Sequence, residues 1–158
     1  MYTGVLNFHS ILRWCFLLLL AINIIRSLFP TTKHYNGENL NWGRWLLVAT
    51  YFNLATSIYL YLFGRYGITL LKHEGYQYSD IFNIPYLRFW LVEHPSMMLL
   101  SMIIIGVANR ISRSKSLLDN KYRMMSILYI MALCIILAAI PWPFRNASIA
   151  REVVRTLN

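Results

Sequence analysis

The sequence predicts an all-α fold, an integral membrane four-helix bundle, and three observations carry that prediction. The 158 residues are 58% hydrophobic and only 13% charged, about half the charged share of a soluble domain. The apolar residues gather into four long runs, approximately Val5–Leu28, Trp42–Phe63, Tyr86–Val107 and Met124–Trp142, each near the ~20 residues that cross a bilayer as a helix. No run alternates with period two, so helices rather than barrel strands must satisfy the backbone in lipid. The length suits a single membrane domain over residues 1–158, with a short tail after the fourth helix.

The first run has no basic stretch before it and no small-x-small cleavage site after it. Asn23, Arg26 and Ser27 stand there instead, so it is read as a retained helix and not as a cleaved signal. Trp42 and Trp45 open the second run, Tyr86 and Trp90 the third, and Trp142 closes the fourth, as aromatic residues do at a membrane boundary. In the stretch Ile140-Pro-Trp-Pro-Phe144, Pro141 and Pro143 stop the last helix. The tail Arg145–Asn158 places Ile149, Val153 and Leu157 at i, i+4 and i+8. That spacing is open to a short interfacial helix or to a polar tether. The connection Gly64–Pro85 is long for a bundle and rich in Tyr and Gly. A membrane-surface segment is expected around Tyr66–Lys72, able to lid a site beneath it.

The net charge of +9 raises nucleic acid as a partner, and the placement of the charge excludes it. The basic residues flank the helices and form no basic, aromatic-interleaved soluble surface. Their pattern sets topology instead. Arg26, Lys33 and Arg44 surround the first loop, and Arg110, Arg113, Lys115, Lys121 and Arg123 the third. The second region has Arg65, Lys72 and Arg88 with Glu74 and Asp80 among them. The positive-inside rule puts loops one and three in the cytoplasm and both termini and the second loop outside. Arg145, Arg151 and Arg155 in the tail pull against that orientation.

Two histidines lie inside the apolar runs. His9 is four residues into the first, ~6 Å along the axis, and His94 is six residues past Arg88, ~9 Å from the same face. The two imidazoles are thus expected in one layer of the bundle. Neutral imidazoles facing each other can ligate an iron porphyrin axially, with the porphyrin standing across the layer and its propionates near the interface. The bland alternative is a pair of polar residues satisfied by packing. Arg13, one turn after His9, shares its helical face. A charge near the bilayer centre costs about 2.5–3.5 kcal/mol on insertion scales, so Arg13 and Glu93 are expected to point inward and to pair. Such a pair would fix helix register, or orient a histidine, a propionate or a quinone headgroup. Met98, one turn from His94, is placed to pack against a cofactor, although methionines in apolar helices are mostly gap-fillers. His34 and His73 fall in loops and read as solvated side chains. Cys15 and Cys134 lie within helices and are expected to be buried packing residues; no CxxC or CxxCH occurs.

The strings Tyr-Thr-Gly-Val-Leu-Asn-Phe-His9-Ser-Ile-Leu-Arg13-Trp, Leu91-Val-Glu93-His94-Pro-Ser-Met-Met98 and Ala138-Ala-Ile-Pro-Trp-Pro-Phe144 resemble the small four-helix cytochrome b-like membrane proteins of Bacteroidetes. The resemblance spans most of the chain. It implies a haem b protein with His9 and His94 as iron ligands, and a quinone pool or another membrane redox subunit as electron partner. The family pattern has two further helix histidines, which a gapless alignment places at Tyr51 and Asn109. Two stacked haems would carry electrons across the membrane, whereas this chain retains residues for one, near one face.

The leading expectation is therefore a one-haem electron-transfer protein, with Arg13 beside a propionate. The alternative is a haem-free accessory subunit of a larger inner-membrane complex, its polar residues giving helix–helix specificity. A transporter is disfavoured, since no inverted repeat or Gly-interrupted half-helix appears. No HExxH, GxSxG or glycine-rich phosphate loop marks a stand-alone enzyme.

Overall fold

The computed structural model describes residues 2–29, 38–73, 75–113 and 118–142. Four long helical spans run through them. Helix α1 is Tyr2–Leu28 and α2 is Glu38–Phe63. Two short helices come next, α3 (Thr69–His73) and α4 (Asp80–Asn83). The third span is built from α5 (Pro85–Arg88), a π-helical turn (Phe89–Glu93) and α6 (His94–Ser112), and α7 is Leu118–Ala139. There is no strand among the described residues. The four spans are long and apolar enough to cross a membrane, the architecture of a multi-pass membrane protein. Phe8, Ile11, Trp14, Leu18, Ile103 and Ile127 are among the large apolar side chains left on the outside, where lipid and not water is the matching solvent.

Each span turns one stripe inward at helical spacing. On α1 it is Phe16, Leu20, Asn23 and Ser27; on α2, Gly43, Leu46, Thr50 and Asn53. On α6 it is Ser101, Ile105, Ala108 and Ser112, and on α7, Tyr122, Met125, Tyr129, Ala132 and Ile136. Steps of three and four residues keep these side chains on one face. The helices form a square in which α1 packs on α2, α6 on α7, and α1 on α7, while α2 and α6 touch less extensively. Helices α1 and α6 therefore face each other across the diagonal.

Two prolines shape the ends of the second hairpin by the same device. Proline lacks an N–H, so it orphans the carbonyl four residues back. Pro95 orphans Leu91 O, which accepts the Tyr61 hydroxyl at 3.2 Å. Pro141 orphans Leu137 O, which accepts the Trp142 indole N–H at 2.9 Å. The fourth helix accordingly ends at Ala139, short of the expected Trp142, because its last turn gives way to this side-chain cap. It also starts earlier than expected, as does α2, and the third span runs on past Val107. Its inner face continues through Ala108, Asn109 and Ser112, all buried.

The long connection does contain a short helix within the expected stretch. Its Leu70 and Leu71 pack on Leu87 and Leu91 in a small core of their own, and Tyr66 in the same stretch stacks on Trp90 at 5.0 Å between centroids. Cys15 and Cys134 are exposed and unpaired, against the expectation that both are buried; each sits on the outward side of its helix, where a small apolar thiol meets lipid. His34, Pro143 and the tail 145–158 lie outside the described residues.

Candidate functional site

His9 and His94 line one cavity, together with Arg13, Asn53, Met98 and Met102. The expectation that the two histidines share a layer of the bundle is met. They arrive there from the diagonal pair of helices, so they meet across the bundle axis and not along one helix seam.

The hydrogen bonds tie one nitrogen of each ring, and for His94 they fix where the proton sits. His94 Nδ1 lies 2.8 Å from Ala139 O. A carbonyl only accepts, so Nδ1–H donates and Nε2 keeps its lone pair. His9 Nδ1 lies 3.1 Å from Thr56 Oγ1. The Thr56 hydroxyl has its own acceptors, Phe52 O and Asn53 O, each at 3.0 Å. With that hydroxyl donating to a carbonyl of its own helix, a lone pair on Oγ1 is placed to accept from His9 Nδ1–H, an arrangement that leaves Nε2 open. Neither Nε2 has a hydrogen-bond partner among the described residues. This is the orientation in which a metal-ligating histidine is held, with the far nitrogen anchored to an oxygen.

Two Nε2 atoms are too few for a bare metal ion, and no cluster of three or more His, Cys, Asp or Glu side chains occurs among the described residues. Two suffice for an iron already held by four porphyrin nitrogens. The donor set therefore fits an iron porphyrin. The space does not yet: the cavity is about 40 Å³, room for a few waters at roughly 10–15 Å³ each against the ~300–1,000 Å³ of ligand pockets.

Arg13 sits differently from the expectation. Glu93 does not pair with it. Glu93 turns outward and takes Arg88 Nε at 2.8 Å, with both side chains more than a third exposed. The reason is the π-helical turn. His94 N–H reaches back five residues to Phe89 O, and the extra residue in the turn swings Glu93 out of the bundle as His94 swings in. The Arg13 guanidinium lies 5.6 Å from the ring centroid of Trp14, and no carboxylate bonds it among the described residues. It lies one turn deeper in the bundle than His9, so an anionic group beside it would sit on the inner side of the histidine layer and not at the interface.

Met98 lines the cavity as expected. Phe89 and Trp90 flank the His94 ring at 6.0 and 5.7 Å between centroids. The two positions where the resembled family has further histidines diverge: Asn109 is buried at 2% exposure and Tyr51 faces outward at 63%. Those positions do not face each other here. Thr56, Ala139 and Tyr61 were not foreseen. Nothing local marks Thr56 or Ala139, but Pro95 inside an apolar run does announce a free carbonyl at Leu91. The chain matches no family model, no curated protein and no solved structure.

Proposed function

We propose that this protein is a one-haem, b-type electron-transfer protein of a bacterial inner membrane, with His9 and His94 as the axial iron ligands. The observation that carries the reading is the pair of imidazoles from diagonal helices, each tied through Nδ1 to an oxygen and each keeping Nε2 open in one shared cavity. A haem held by His9 and His94 would supply one-electron redox chemistry. The chain's own share is to orient the rings through Thr56 and Ala139 O, to shield the site with Phe89, Trp90 and Met98, and to offer the Arg13 guanidinium to a propionate or a quinone carbonyl. The exchange partner is a quinone pool or a neighbouring redox subunit. The charge pattern supports an orientation with loops one and three in the cytoplasm and the histidine layer nearer the periplasmic face.

The size of the cavity favours a second reading, a haem-free accessory subunit of a larger membrane complex whose histidines only lock helix packing. A reduced-minus-oxidised visible spectrum of the full chain, produced with ample haem, separates the two. Sharp haem b bands that vanish in His9→Ala and in His94→Ala support the electron carrier. A flat spectrum from folded protein overturns it in favour of the accessory subunit.

A further inference from the structure

We propose that Tyr61 is a positioning residue for His94. It acts through the carbonyl that Pro95 leaves without a helical donor.

The third span carries an internal conflict. Pro95 comes directly after His94, and its ring and missing N–H are incompatible with a regular α-helical bond to Leu91 O. The chain resolves this by widening one turn: His94 N–H donates to Phe89 O, five residues back, in place of Trp90 O. One extra residue in a turn rotates the helix on its N-terminal side against the helix on its C-terminal side by about 100°. Leu87 before the turn and Leu91 within it are buried against Leu70 and Leu71. After it, Ser101, Ile105, Ala108 and Asn109 are buried in the main core. The wide turn joins these two buried faces, and His94 stands at its end with Nδ1 on Ala139 O.

The wide turn leaves Leu91 O to be satisfied from outside the helix, and the Tyr61 hydroxyl on α2 does so at 3.2 Å. In a membrane interior no water replaces that donor. Such wide turns recur at functional positions. Here the turn, its bond to α2 and the candidate ligand lie within five residues of one another. The proposal rests on the haem reading only for what His94 binds; the aim of the ring is a property of the chain alone.

The test therefore reads the ring without haem. The full chain, with ¹⁵N-labelled histidine, is reconstituted in nanodiscs as wild type, Tyr61→Phe, Pro95→Ala, the double variant, and Tyr59→Phe as a control on the same helix. Wild type is expected to give a His94 Nδ1–H tautomer in a strong hydrogen bond. Tyr61→Phe is expected to mix the tautomers and, in haem titrations, to weaken binding about tenfold, as loss of a supporting contact does. Pro95→Ala restores the N–H that Leu91 O lacks, lets the turn revert to α, and is expected to lose the His94–Ala139 bond outright. Tyr61→Phe is then silent in the Pro95→Ala background. His94 signals unchanged in either single variant, or effects that simply add in the double, overturn the proposal. If Tyr61→Phe does not fold, Pro95→Ala and its double decide alone. Wild-type protein that takes no haem sinks the cytochrome reading, while its His94 signals still test this one.

Discussion

The two ends of the bundle handle buried polar side chains in opposite ways. At the end near the first and third loops the side chains turn mostly back on their own helices. Ser27 donates to Ile24 O, Ser112 to Asn109 O and Ser126 to Tyr122 O, and Asn23 donates to Leu19 O and also reaches Trp42 O on α2. Asn109 presses so closely on Gly43 that a Cβ there would stand 2.6 Å from its Oδ1. At the other end His9 and His94 reach across to neighbouring helices, and each leaves a nitrogen open onto a cavity. One end is polar and closed; the other is polar and open. Polarity inside a membrane bundle is thus not by itself a sign of function. The sign is a lone pair that the surrounding helices orient and then leave without a donor.

That contrast can be broken most strongly at the histidines. If the protein is the haem carrier proposed, replacing His9 or His94 by Ala is expected to abolish haem binding completely in visible spectra, with the helical circular dichroism retained. Installing histidines at the closed end, as Tyr51→His with Asn109→His, is expected to add no second haem: residue 51 faces outward and residue 109 is already filled. A haem-to-protein ratio of two in that variant would show that the closed end can open, and would remove the distinction drawn between the ends.

Next in size is a change confined to the closed end. Gly43→Val forces branched carbons against Asn109, and overpacking of this kind costs about 1–3 kcal/mol. Unfolding in detergent should show the loss, while the haem bands per folded protein stay as in wild type. A parallel fall in haem affinity would mean that the two ends are one cooperative unit.

At the open end, Thr56→Val keeps the shape of the side chain and deletes the acceptor for His9 Nδ1–H. Supporting groups of this sort typically contribute 10–100-fold in metal affinity. A roughly tenfold weaker haem titration with little change in unfolding is the expected outcome. An unchanged titration would show that packing alone aims the His9 ring.

The architecture was legible in the sequence because lipid leaves the backbone few options, and four apolar runs of about 20 residues have one arrangement that satisfies it. The meeting of His9 with His94 was legible too, since depth along a helix comes from counting. Direction around the helix was not. The inward turn expected of Glu93 fails because His94 takes the inner face and adjacent helical residues differ by roughly 100°, a conflict the count already carried; the wide turn that shifts the phase at that point is what the count does not show. Pro95 held the warning. Cys15 and Cys134 went astray for a related reason: in a membrane helix apolar residues cover every side, so hydrophobicity no longer tells inside from outside. Thr56 and Ala139 lie 47 and 45 residues from the rings they hold, and only the fold brings them there.

The smallest effect belongs to the one charged pair that the sequence placed in the wrong partnership. Arg88 and Glu93 are joined at 2.8 Å but remain 45% and 38% exposed, and exposed pairs of this kind contribute about 0–1 kcal/mol. Glu93→Gln should therefore shift the unfolding midpoint hardly at all and leave any haem spectrum unaltered, and the little it does change should fade as salt is raised. The outcome matters beyond its size. Were Glu93 the inward partner of Arg13, its neutralisation would strand a buried guanidinium and cost about 3–5 kcal/mol. A near-silent Glu93→Gln variant is what the outward swing of the wide turn requires. A severely destabilised one would place Glu93 back inside the bundle and undo the phase shift on which the aim of His94 depends.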